Sequence, residues 1–150
     1  MDNDDVISTL NDLIETCRDG EEGFKTCAED LSDAQAKSTF IKRAQECAQA
    51  SAELQQEVRS LGGNPETHGS MSGTMRRRWV DIKAAITGND DQAIFNECER
   101  GEDVAVKEYK DALAKDLPAA IRLIVERQYQ GVLRNHAQVK VLRDEARAHG

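Results

Sequence analysis

The chemistry open to this chain rests on three histidines, four cysteines and a few well-placed carboxylates. Histidine ligates metals and moves protons, cysteine supplies thiolates, and carboxylates hold divalent cations or act as acid and base. The histidines are His68, His136 and His149. Pro65, Leu133 and Ala146 stand three residues before them, so the sequence contains no Glu-x-x-His pair. The cysteines are Cys17, Cys27, Cys47 and Cys98, at spacings of 10, 20 and 51 residues. These spacings form no C-x-x-C unit and no thiolate zinc knuckle. They read as small apolar residues on helix faces, and a disulfide framework does not suit a reducing cytoplasm. No phosphate-cradling glycine loop, H-E-x-x-H or G-x-S-x-G occurs either. No catalytic residue is assigned. The carboxylates of interest are those that a helix would turn inward, and finding them requires the elements.

Gly62-Gly63-Asn64-Pro65 and Gly88-Asn89-Asp90 punctuate the chain. Apart from these breaks, apolar residues recur at helical spacing. Helices are expected over about residues 4–31, 33–61, 90–115 and 118–147, with a shorter one over about 72–87. Ser32-Asp33-Ala34-Gln35 has the S-x-x-Q form of a capping box, and Asn89 through Gln92 the related N-x-x-Q form. Pro118 suits the start of a helix. The inward positions include Leu10, Leu13 and Cys17 on the first helix and Phe40, Ala44, Cys47 and Leu54 on the second. They continue with Phe95, Cys98, Glu102, Val106 and Tyr109, then Ile121, Val125, Gln128, Val132, Asn135 and Val139. Four one-sided helices bury their stripes against one another as a bundle. The short first and third connections predict two antiparallel hairpins. The long link between them, with its short helix reaching about 24 Å, predicts a crossover along the bundle. The whole chain, 1–150, is read as one all-α domain.

Composition narrows the function classes. Lys plus Arg total 20 and Asp plus Glu 28, a net charge of -8 over 150 residues. Residues 1–31 hold ten acids and two bases, and residues 118–148 three acids and six bases. Such a chain lacks the concentrated positive surface of a duplex DNA binder. The acidic start and the lack of a long apolar run predict neither a signal peptide nor a transmembrane span, and hence a cytoplasmic protein. Arg76-Arg77-Arg78-Trp79 is the one basic cluster. Its simplest role is to let Trp79 pin the crossover to the bundle while the arginines face solvent or the acidic first helix.

The two hairpins and long crossover resemble the ferritin-like superfamily. Trp79 through Lys83, Asn96 through Asp103, and Tyr109 through Leu113 are similar to a family of small bacterial ferritin-like bundles of unknown function. Leu10-Asn11-Asp12-Leu13 and Glu21-Glu22-Gly23-Phe24 fit the same family. The resemblance implies the fold and carries over no reaction. A di-metal centre on this fold uses a glutamate on each of two helices and Glu-x-x-His on each of the others. The missing Glu-x-x-His is therefore the main departure from the superfamily pattern.

The inward polar residues are candidate binding groups: Glu21, Glu102, Tyr109, Gln128 and Asn135. Glu102 stands at the centre of the third helix's stripe, where a lone carboxylate is costly without a partner. It is read as a metal or ligand position, as a carboxylate hydrogen-bonded to Tyr109, Gln128 or another polar group of the bundle, or as one at a wet end of the core. Gln128 and Asn135 suit a register-fixing polar network. Glu21, Glu99, Glu102 and His136 are the metal candidates. Glu46 and Glu53 fall away from the stripe and are read as solvated. The leading expectation is a non-enzymatic protein with a binding or structural role, extended to stress response only by fold analogy, with no cofactor. One alternative is a metal-binding or redox protein with a degenerate site near Glu102, holding iron or another divalent metal. A second is a protein-interaction module using the acidic first helix and Arg76–Arg78. A symmetric homodimer is the default assembly.

Overall fold

The computed structural model describes residues 1–65 and 91–149. Within them the chain forms α1 (Asn3–Asp30), α2 (Ala34–Ser60), α3 (Asp91–Leu113) and α4 (Ala119–His149). The expected crossover helix, with Arg76, Arg77, Arg78 and Trp79, lies outside these residues, as does His68.

Local chemistry sets the helix ends. Asp2 caps α1 by accepting from the Asp5 N–H at 2.9 Å, and Asp4 and Asp5 add negative charge to its first turn. At the start of α2 the cap is Asp33, which accepts from the Ala36 N–H at 2.9 Å. Ser32, the expected cap, instead donates its hydroxyl to Asp91. α2 ends in a Schellman turn: Gly62 takes a φ of 83°, and the Gly63 N–H reaches the Val58 carbonyl at 3.0 Å. That positive φ is the conformation glycine adopts without a Cβ penalty.

Long-range bonds fix the topology. Asp91, the first residue of α3, accepts from the Ser32 N–H, the Ser32 hydroxyl and the Asp33 N–H at 2.9–3.1 Å. The start of α3 therefore sits beside the start of α2. At the other end, Lys115 donates to Thr9 and Asn11 donates to the Asn64 carbonyl. α2 and α3 thus run the same way, with the end of α2 and the start of α3 at opposite ends of the bundle, as the crossover reading requires. α1 packs on α2 and α3, and α4 packs on α3 and more sparsely on α2. The parallel pairs, α1 with α4 and α2 with α3, face each other across the diagonal. Replacing Asp91 with alanine is expected to cost about 1–2 kcal/mol, because two backbone donors lose a charged acceptor. The urea midpoint measures that loss.

The core has two parts. Phe24, Phe40, Phe95, Ile94 and Val139 pack at one end, and Leu10, Leu13, Leu54, Val58, Tyr109 and Val125 at the other. All four cysteines are buried thiols. The two core regions meet near Cys17 and Cys47, beside the sparse α2–α4 seam.

Candidate functional site

A cavity of about 400 Å³ opens at that seam, with walls from all four helices. α1 contributes Cys17, Gly20 and Phe24; α2 contributes Arg43, Glu46, Cys47, Ala50 and Glu53. α3 contributes Gly101, Glu102, Ala105 and Tyr109; α4 contributes Arg127, Gln128, Gly131 and Arg134. Glycines from three helices are thus among its lining residues. A Cβ on Gly20 would stand 3.2 Å from the Cys47 sulfur, so α1 and α2 approach closely there.

One side of the cavity is a closed polar network. Tyr109 donates to the Gln128 Oε1 at 2.8 Å and touches the Cys17 sulfur at 3.2 Å. The Gln128 amide donates to Glu53 at 2.7 Å and to the Ala50 carbonyl at 3.3 Å. Glu53 also pairs with Arg127, and Glu46 accepts from Asn135 at 3.2 Å. Glu46 and Glu53 are therefore cavity-wall acceptors, in contrast to the solvated reading. The sparse α2–α4 packing leaves them facing α4. Tyr109→Phe is expected to cost about 1–2 kcal/mol, because Gln128 Oε1 loses its donor. Adding Gln128→Leu should recover part of that loss, and urea unfolding of both variants checks it.

The other side is not closed. Glu102 is 1 % exposed, and neither carboxyl oxygen has a hydrogen-bond partner among the described residues. Arg43 is 8 % exposed, and its Nε–H also lacks an acceptor. The two approach to 3.9 Å between Nε and Oε1, an attractive pairing too long for a hydrogen bond. Phe24 lies under the guanidinium, 5.6 Å from the ring centroid, and steadies its charge.

Burial pushes the Glu102 carboxyl up to about 8, against the pull of Arg43 and with the push of Asp103, Glu99 and Glu46. At neutral pH it is largely a neutral acid beside a charged guanidinium. Burial also pushes the Cys17 thiol up to about 11 and the Cys47 thiol up to about 12. Neither is a ready nucleophile, since the thiolate is the reactive form.

The remaining sequence candidates do not converge. Glu21 pairs with Arg18 and Lys25 on its own helix. Glu99 pairs with Arg143, and His136 lies 2.7 Å from Asp103. Asn135 reaches Glu46 and the Gly131 carbonyl, without bonding to Gln128. No group of three or more His, Cys, Asp or Glu among the described residues could hold a metal ion. The metal centre implied by the superfamily does not fit this donor set, because the central carboxyl faces an arginine.

Comparison with known proteins agrees with the fold. Residues 5–115 match a family described as a domain of unknown function, DUF2383. The chain belongs to this family. No curated protein matches it. Its fold is similar to that of a mutant of Mycobacterium smegmatis Dps1, with a TM-score of 0.77 and 10 % identity, covering 94 % of this chain and 96 % of that one. It is also similar to a two-domain protein of Anabaena variabilis containing DJ-1/ThiJ/PfpI-like and ferritin-like domains. There the TM-score is 0.79 and the identity 19 %, covering 97 % of this chain and 40 % of that one. This member of the family is thus an all-α, ferritin-like four-helix bundle. No helix among the described residues is long and apolar enough to cross a membrane.

Arg43 is the site residue that sequence reasoning missed. It stands three residues after Phe40 and four before Cys47, on the edge of the α2 stripe. A cation at that register beside an inward glutamate on another helix is the signal that could have found it.

Proposed function

We propose that this chain is a non-enzymatic binding protein that holds a small organic molecule in the mid-bundle cavity. The observation that carries this reading is the cavity of about 400 Å³ between the four helices, with Arg43 and Glu102 among its lining residues and their buried polar atoms short of hydrogen-bond partners. Buried polar groups are nearly always satisfied, and each one left unmade costs free energy. The cavity has the size and mixed lining of a small-molecule site. The raised thiols of Cys17 and Cys47 favour binding over nucleophilic chemistry. Arg43 already brings a positive charge to Glu102, which argues against the divalent-metal alternative.

The test is a thermal-shift screen of metabolite-sized compounds against the wild-type chain and Gly131→Leu. Gly131 lies in the cavity wall, where an added Cβ meets only the far end of Arg134, at 3.6 Å. Compounds that raise the wild-type Tm should lose their effect in a variant that stays helical. A screen with no responders, or responders indifferent to the variant, would overturn the reading.

A further inference from the structure

We propose that Cys27 and Cys98 are a redox pair, which a small-molecule disulfide such as oxidised glutathione converts to an intrachain disulfide locking α1 to α3. The pair lies outside the cavity lining and takes no part in the binding reading.

The geometry singles out these two thiols. Their sulfurs stand 2.7 Å apart, on residues separated by 71 positions in sequence. A disulfide bond is about 2.0 Å long, so the sulfurs need to approach by only about 0.7 Å. Both cysteines are fully buried in the core region built on Phe24, Phe40 and Phe95. The other two are placed differently. The Cys17 sulfur touches the Tyr109 hydroxyl at 3.2 Å, and the Cys47 sulfur packs against Gly20. Burial pushes both of those thiols up, which further disfavours them as partners in exchange.

The surrounding core holds the pair in place. Cys27 follows Phe24 by three residues and Cys98 follows Phe95 by three, so each sits one turn further along its stripe. Phe40 meets both rings edge-on, at centroid distances of 5.4 and 5.9 Å. α2 thus braces α1 and α3 one turn from the thiols. Two groups held in this way react with a high effective concentration. α1 belongs to the first hairpin and α3 to the second, so the bond would join the hairpins directly. A cross-link over so long a loop restricts the unfolded chain strongly.

The place of Cys27 in α1 supplies the route in. It lies in the last turn of the helix, where its carbonyl accepts from the Leu31 N–H at 3.1 Å. Helix ends open at low cost, and opening this turn brings the thiol to solvent. The Cys27 thiolate then attacks one sulfur of oxidised glutathione, breaking its disulfide and releasing one glutathione thiolate. When the turn re-forms, the Cys98 thiolate attacks the Cys27 sulfur of the mixed disulfide. That step makes the Cys27–Cys98 bond and releases the second glutathione thiolate. The two thiol protons end on the two released glutathiones. The protein loses two electrons and oxidised glutathione gains them. A reducing pool returns the pair to thiols, and an oxidising one closes it.

The test is redox equilibrium of the full chain in mixtures of reduced and oxidised glutathione. The chain is refolded from urea into each mixture, starting once from the reduced and once from the oxidised form, so access to the buried sulfurs cannot limit the result. A parallel series stays in urea. The fold favours the bond by the same factor with which the bond favours the fold. Half-closure of the native chain should therefore need a squared reduced-to-oxidised glutathione ratio at least about thirty-fold higher than half-closure of the unfolded chain. The four cysteines fall on four different tryptic peptides, so mass spectrometry maps the bond. It should join residues 26–37 to residues 84–100 and leave Cys17 and Cys47 open to alkylation. Closure should raise the Tm by more than about 5 °C. Cys98→Ala should show no intrachain closure and no such rise. A native ratio no higher than the unfolded one, a bond mapped to another pair, or a Tm unmoved by closure would each overturn the proposal.

Discussion

Glu102→Gln is expected to raise stability by about 4 kcal/mol at pH 9 while changing it by less than about 1 kcal/mol at pH 5. The sign follows from where the proton sits. Unfolded, the carboxyl titrates near its ordinary 4.5; folded, burial moves it to about 8. Between these values the native state keeps a proton that the unfolded state has released. Stability therefore falls as pH rises from about 4.5, by about 1.4 kcal/mol per unit, and levels off above about 8. Glutamine has nearly the shape of the protonated acid and no proton to lose, so its curve lacks this descent. Titrations elsewhere are shared by both proteins and cancel in the difference. Urea unfolding at pH 5, 7 and 9 measures it. Parallel curves would mean that Glu102 ionises normally in the folded state. A steeper fall in the variant would mean that the ionised carboxylate is the stabilising form, held by Arg43.

This prediction also shows how far the site could be read from the residues. Glu102 stands out because Phe95, Cys98, Val106 and Tyr109 put it in register with an apolar stripe, where a carboxylate breaks the pattern. Tyr109 and Gln128 are found the same way, and the structure joins them through one hydrogen bond. The crossover topology was readable from connection lengths, and the Asp91 bonds to Ser32 and Asp33 place the helix ends accordingly. Arg43 escaped because a long cation at a stripe edge ordinarily extends its head to solvent. Here Phe24 and the bundle hold it inside. Glu46 and Glu53 escaped for a different reason. Their facing depends on how tightly α2 and α4 approach, which no single helix encodes. The cavity itself is lined from four helices, with Gly20, Gly101 and Gly131 on three of them separated by at least 30 residues in sequence. Periodicity describes one helix at a time and cannot register such a meeting. The same limit applies to Cys27 and Cys98, on α1 and α3, whose sulfurs lie 2.7 Å apart.

Phe40→Ala is expected to cost about 3–5 kcal/mol, the usual range for removing a fully buried aromatic ring. Phe40 is 0 % exposed and holds together the core at one end of the bundle. Its ring meets Phe24 edge-on at 5.4 Å and 88°, and meets Phe95 at 5.9 Å and 70°. These contacts add to burial, since edge-to-face pairs stabilise beyond the area they cover. The loss therefore combines three effects: less apolar burial, a cavity between α1, α2 and α3, and two broken ring pairs. Phe40→Leu keeps most of the volume and should cost clearly less, about 1–2 kcal/mol. A lower urea midpoint with an unchanged m-value would identify both as stability losses within the same fold. The consequence reaches the polar site as well. Phe24 is the ring beneath the Arg43 guanidinium, and Phe40 packs against that ring at a near-perpendicular angle. Freeing Phe24 loosens the support that keeps Arg43 beside Glu102. Phe40→Ala should therefore weaken any cavity ligand more than a Leu10→Ala variant matched for stability, because Leu10 packs in the other core region. Equal weakening in the two variants would show that binding follows overall stability and does not depend on the Phe40–Phe24–Arg43 stack.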